Sequence, residues 1–148
     1  PGRLWVHQLQ LTIADLVTEA HDTHHPIASA LYYEDQKPEA LRRSADFVES
    51  RIPKFMAYFA RLLSNPEPRD YLTGDKVTYA DLSLFQVIEG LRHAFPNAMK
   101  KIEQEHPELT GLRDRVAARP NIAAYLASER RIPFNQEGIF RRYPELDQ

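Results

Sequence analysis

Leu72-Thr73-Gly74-Asp75-Lys76-Val77-Thr78-Tyr79-Ala80-Asp81-Leu82-Ser83-Leu84-Phe85-Gln86-Val87-Ile88 decides the fold. Thr78 and Asp81 have the spacing of a helix capping box. The Thr78 hydroxyl accepts the Asp81 backbone N–H, and the Asp81 carboxylate reaches back to the Thr78 N–H. Val77 before the cap and Leu82 after it can close a hydrophobic staple. Gly74-Asp75 supplies the preceding turn. The helix that follows is apolar nearly all round: Leu82, Phe85 and Ile88 lie on one side, Ala80, Leu84, Val87 and Leu91 on another. Such a helix belongs in the middle of a domain. Gly90 sits inside it, where glycine costs about 1 kcal/mol relative to alanine; close approach of another helix is the expected reason. Pro96 stops the helix. Thr78 and Asp81 are thus structural, and Asp81→Ala is expected to cost about 1 kcal/mol, the worth of a cap.

Upstream, a first helix is predicted from Arg3 to Asp22. Trp5, Leu9, Ile13, Leu16 and Ala20 recur at spacings of four, four, three and four, one apolar stripe. Leu11, Asp15, Thr18 and Asp22 form a second row, so Asp15 and the neighbouring Glu19 read as a solvated face. In His21-Asp22-Thr23-His24-His25-Pro26, His21 with His24 or His25 has a spacing that can grip a metal. Histidine near a helix C-terminus is also favoured by the dipole alone. No carboxylate or cysteine completes a ligand set, so the expectation is no metal. Ile27 to Asp35 is a connector.

A second helix starts at Pro38. Leu41, Ala45, Val48, Ile52, Phe55, Phe59 and Leu62 keep an alternating four-three register across Pro53, which predicts one long helix kinked there. The stripe suits an antiparallel helix pair or an intersubunit seam. Ser64 to Asp70 is a loop. Beyond the central helix, Asn97 to Gln104 is a short helical turn. A helix opens at Pro107 with Leu109, Leu112 and Val116 inward. Another opens at Pro120 with Ile122, Tyr125 and Leu126 inward. The tail from Ile132 to Phe140 has no helical period and is apolar enough to lie back across the domain.

At 148 residues the chain reads as one all-α domain, residues 1–148. Net charge is −2 with basic and acidic residues interleaved, which attracts neither nucleic acid nor a membrane surface. No apolar run is long enough to span a bilayer. Cysteine is absent, excluding disulfides and thiol chemistry for this chain and suiting a reducing compartment. Pro1-Gly2-Arg3, without Met, reads as a linker. No phosphate loop, nucleophile elbow or zinc-protease motif occurs, and no triad is assembled by spacing.

Gly74-Asp75-Lys76-Val77-Thr78-Tyr79-Ala80-Asp81 resembles the Gly-Asp-x-x-Ser/Thr-x-Ala-Asp segment of the core helix in the C-terminal domain of cytosolic glutathione transferases. Pro107-x-Leu109…Arg119-Pro120-Asn121-Ile122-x-x-Tyr125-Leu126-x-Ser128 resembles that family's last two helices. The resemblance implies a helical bundle with a long kinked second helix and a buried central helix. It implies a thioredoxin-like partner domain, absent from this chain, that binds glutathione and activates its sulfur. It further implies a cytoplasmic homodimer engaged in detoxification, joining glutathione to a small hydrophobic electrophile. By the same resemblance Asp15 contacts the amino group of glutathione bound to the opposite subunit. His21 and His25 fall where the family lines its electrophile pocket, at positions more apolar or aromatic in familiar members, and Phe134 and Phe140 lid that pocket from the tail. The alternative is a non-catalytic module of the same fold serving protein–protein assembly, as in a translation elongation factor subunit.

Overall fold

A computed structural model describes residues 2–64 and 66–148. Pro1, where the linker reading begins, and Asn65 of the expected loop lie outside the described residues. The first helix, α1 (Gly2–Asp22), buries Leu9, Ile13, Leu16 and Ala20, the expected stripe, with Trp5 packed at its half-buried end. A 3-10 turn (Tyr33–Gln36) leads into α2 (Lys37–Asp46), which continues through one π-helical turn (Phe47–Arg51) into α3 (Ile52–Ser64). The remaining helices are α4 (Tyr79–Ala94), α5 (Pro96–Glu105), α6 (Pro107–Ala117) and α7 (Pro120–Leu126). Among the described residues there is no β-strand, only an isolated Tyr71–Gly74 bridge. Tyr71 and Gly74 exchange backbone hydrogen bonds of 2.9 and 3.1 Å. Gly74 is held at φ 130°, a conformation open to glycine at little cost.

The α4 helix is the centre. It packs against α1 on one side and against α5 and α6 on others. Nine of its sixteen residues are buried, Leu84, Ile88 and Leu91 completely. The capping box at Thr78 is present. The exception to the all-round apolar reading is Leu82, which is partly exposed and shares a surface hollow with Val77, Pro120 and Ile122.

The π turn corrects the reading of the long helix. Pro53 has no N–H, and its ring crowds the carbonyl four residues back. The extra residue of a π turn absorbs both defects without ending the helix. It also shifts the register. The buried row is Ala40 and Ser44 before the turn, Phe47 at its first position, then Ile52, Met56, Phe59 and Leu63 after it. Leu41 and Ala45, placed on the stripe by an unbroken period, are exposed instead. A second correction concerns Asn97 to Gln104, which belongs to a full ten-residue helix. A third concerns α7, which has no fully buried residue: Ile122 and Leu126 are half-buried and Tyr125 faces solvent.

Polar side chains fasten what the helices leave loose. Gln36, fully buried, organises the connector: its Oε1 accepts the Ile27 N–H at 2.9 Å, and its Nε2 donates to the carbonyls of Ala28 at 3.0 Å and Leu31 at 3.2 Å. Glu19 is no solvated acid. It accepts two hydrogen bonds from Arg51 (2.8 and 2.7 Å) and one from Arg43 (3.3 Å), tying α1 to the long helix. Arg51 foremost, aided by Arg43, holds its carboxyl below the usual range against the opposing effect of burial.

The tail does lie back across the domain. Arg142 donates to the Ala94 carbonyl at 3.1 Å, and the Tyr143 ring stacks on Tyr33 at 3.8 Å. Asp147 then caps α5 from fifty residues away: its carboxylate accepts the N–H groups of Asn97 at 2.8 Å and Ala98 at 3.1 Å, and pairs with Arg142 at 3.2 Å. This side chain is completely buried. Asp147→Ala strands those donors, at about 1–3 kcal/mol for an unsatisfied buried group. A thermal melt should show the midpoint lower by roughly 4–8 °C, for a loss of about 2 kcal/mol. An unchanged midpoint would mean that the carboxylate does not hold the end of α5.

Candidate functional site

One face of α1, one face of α4 and the tail enclose a hollow of about 800 Å³. Ile13, Ala14 and Val17 contribute from α1, and Leu82 and Val87 from α4. Phe134, Ile139 and Phe140 close it from the tail, with Gln10, Thr18, Ser83 and Gln86 as the polar groups. An apolar wall with a few polar groups is the usual make-up of a small-molecule site.

The roof has a specific anchor. Phe140 is buried, and a Cβ on Gly90 would clash with the Cγ, Cδ2 and Cε2 atoms of its ring. The close approach expected at Gly90 is therefore made by the tail, not by another helix. Phe134 stacks on His93 with centroids 5.0 Å apart and meets Phe140 edge-on at 6.4 Å.

His93 has a buried Nε2 with no hydrogen-bond partner among the described residues. Burial first, and Arg142 second, lower its pKa from the ordinary 6.5. The unfolded chain therefore takes up this proton before the folded chain does. The stability His93 contributes is complete above pH 6.5 and declines as pH falls through 6.5 towards the lower folded value. Urea midpoints measured between pH 7.5 and 5.0 should fall, and His93→Phe should flatten part of that slope. An identical slope in the variant would exclude His93 as a source.

The sequence-predicted residues separate into three places. Phe134 and Phe140 meet at the hollow. Asp15 is exposed on α1, next to Ala14 of the wall but not itself part of it. His21 and His25 lie outside that lining, in a cluster with His24 at the end of α1. His24 and His25 are buried there and His21 is half-buried. His24 donates from Nε2 to the Ile139 carbonyl at 2.8 Å, its pKa lowered to about 4 chiefly by burial, so it is neutral at physiological pH. His93, Gln86 and Ile139 went unread in the sequence, since only the path of the tail brings them together.

A second hollow lies where the start of α1 meets the loop before α4. Leu4, Trp5, Thr73 and Tyr79 line it, and Leu4 is 77% and Tyr79 51% exposed. No described helix is long and apolar enough to cross a membrane.

The C-terminal domain family of glutathione S-transferases matches residues 21–129. The chain is similar to glutathione S-transferase P of Caenorhabditis elegans, 30% identical over 138 residues that make up 89% of this chain and 61% of that protein. It is similar to a glutathione S-transferase of Plasmodium yoelii yoelii, 31% identical over 84 residues, 57% of this chain and 38% of that protein. Glutathione S-transferase 2 of Onchocerca volvulus is 25% identical over 138 residues, 89% of this chain and 61% of that protein. The chain spans between about two fifths and three fifths of the length of these curated relatives. Because the family match takes in every helix from α2 to α7, with the capped and buried α4 at their centre, this chain belongs to the C-terminal domain family of the glutathione S-transferases.

Proposed function

We propose that this chain forms the electrophile-binding half of a glutathione transferase, in which a thioredoxin-like domain supplies the glutathione site. The apolar hollow roofed by Phe134 and Phe140 is the observation that carries this reading. A small hydrophobic electrophile would occupy it, desolvated by Ile13, Val17 and Val87. The partner domain would seat against Leu4 and Tyr79, whose exposed apolar surface lies at the starts of α1 and α4 beside the half-buried Trp5. A hydrogen-bond donor of that domain would lower the pKa of the glutathione thiol, because the thiolate is the attacking form. Holding thiolate and electrophile in one cleft makes their encounter effectively unimolecular. The sulfur then adds to the electrophile or displaces its leaving group.

Asp15 stands ready for a cationic partner, exposed and one position from the wall of the hollow. In a homodimer we assign it to the amino group of glutathione bound in the opposite subunit. The family resemblance also favours the cytoplasm and a detoxifying role.

The test uses the full parent protein assayed with glutathione and chlorodinitrobenzene. Conjugation is expected, with Phe134→Ala raising KM for the electrophile several-fold more than KM for glutathione, and Asp15→Asn doing the reverse. A parent that binds neither glutathione nor electrophile would overturn the proposal. A parent without conjugating activity that forms a stable complex with another protein would establish the non-catalytic assembly module instead.

A further inference from the structure

The tight turn that ends α1 gathers three imidazoles. Backbone hydrogen bonds of 3.2 Å from the His24 and His25 N–H groups to the His21 carbonyl fold the chain back on itself there. The rings of His21 and His25 stack at 5.1 Å, and His24 stands edge-on to both, at 5.0 and 4.7 Å. One ring nitrogen of each lies within 4.8 Å of the other two.

The tautomer of His24 is fixed by its partner. A carbonyl only accepts, so the 2.8 Å contact to Ile139 places the proton on Nε2. The His24 Nδ1 lone pair is then directed into the cluster, where it accepts from Nδ1–H of His25 at 2.5 Å; a bound metal would take the place of that proton, which the neutral His25 ring can carry on Nε2 instead. A histidine whose outer N–H is held by a backbone carbonyl while its inner nitrogen faces other ligands is the arrangement of a metal-bound imidazole. From this geometry we infer that His21, His24 and His25 form a site for a borderline divalent transition metal, zinc in the first instance. Imidazole nitrogen suits zinc, copper and nickel. Three protein ligands leave a fourth position for water or another donor. Binding would widen the His24–His25 contact to about 3.3 Å, the separation of two nitrogens at tetrahedral angles about 2.0–2.1 Å from zinc. The half-buried His21 gives the ion its way in.

Charges nearby act in both directions. Asp22 lies 3.9 Å from His21 Nδ1 and favours a cation. Arg141 opposes the ion by repulsion. The consequence reaches the roof of the hollow. Ile139 both accepts from His24 and lines the hollow, beside Phe140 on Gly90. A metal on His24 Nδ1 makes its Nε2–H a stronger donor, so loading would clamp the tail. This inference rests on the histidine geometry and not on the proposed transferase activity.

The test is calorimetric titration of the untagged, chelator-treated chain with zinc chloride near pH 7.5. Expected is one zinc per chain. His21→Ala, at the half-buried position that spares the fold, should weaken binding at least ten-fold, as should His25→Ala. His7→Ala and His106→Ala, remote from the cluster, should leave binding unchanged. Hydrogen exchange at residues 138–141 should slow on loading. No zinc uptake, or uptake that survives both cluster variants, overturns the site. Unchanged exchange in the zinc-loaded chain overturns the clamp.

Discussion

Asp81→Ala should lower the stability of this domain by about 3 kcal/mol, well beyond the worth of an ordinary helix cap. The carboxylate is fully buried and satisfies three donors. Its Oδ2 accepts the Thr78 N–H and the Thr78 hydroxyl, both at 2.7 Å. Its Oδ1 accepts the N–H of Leu72, itself completely buried, at 2.8 Å. Alanine removes the acceptor and leaves all three donors, the Leu72 N–H buried and the two Thr78 groups part-buried. Each stranded buried group costs about 1–3 kcal/mol, with some relief as the loop relaxes. Asparagine should rescue little. Both oxygens of Asp81 are acceptors, so an amide nitrogen at either place opposes a donor. Thermal melts should show Asp81→Ala lower by roughly 6–12 °C, given about 2–4 °C per kcal/mol at this size. A fall of only about 3 °C would reduce Asp81 to a cap and detach the Leu72 loop from α4.

Gly90→Ala separates two lines of argument by sign. Helix propensity alone favours alanine by about 1 kcal/mol in a helix interior. The structure places the new methyl in a clash with the Phe140 ring, and overpacking of a filled site costs about 1–3 kcal/mol. Net destabilisation is expected. Because Phe140 belongs to the tail, moving it should also disturb the neighbouring Ile139–His24 and Arg142–Ala94 contacts. Urea unfolding should register the loss, and amide exchange should quicken across residues 139–146. The decisive measurement is the double-mutant cycle. In a Phe140→Ala background the obstacle is gone, and Gly90→Ala should become neutral or stabilising. The same destabilisation in both backgrounds would show that the ring is not what requires glycine here.

How much of this was legible in the sequence depended on how local each determinant is. The cap at Thr78 and Asp81, the stripe from Leu9 to Ala20 and the breaks at Pro96, Pro107 and Pro120 lie within a few residues of what they control. All of them were read. Leu72 as the third partner of Asp81 required knowing how the preceding loop folds back. The π turn escaped because Leu41, Ala45 and Val48 also fit an unbroken period, and only packing selected Ala40, Ser44 and Phe47. For the site, the family resemblance set Phe134 and Phe140 over the pocket, and the tail brings both to the hollow. The links between Gly90 and Phe140, His24 and Ile139, and Asp147 and α5 span tens of residues and leave no pattern in spacing. Glu19 shows the same limit from the other side. Its spacing beside Asp15 suggested a wet surface, whereas Arg43 and Arg51 arrive from another helix.

The extra residue between Phe47 and Arg51 works as an angular spacer between two rigid rods. Removing one residue there would restore ordinary winding and swing everything upstream by about 100° around the axis. Ala40 and Ser44 would leave the interior, and Arg43 would be carried away from Glu19 while Arg51 stayed beside it. Single-residue length changes in this short span should therefore be far less tolerated than substitutions at the same positions.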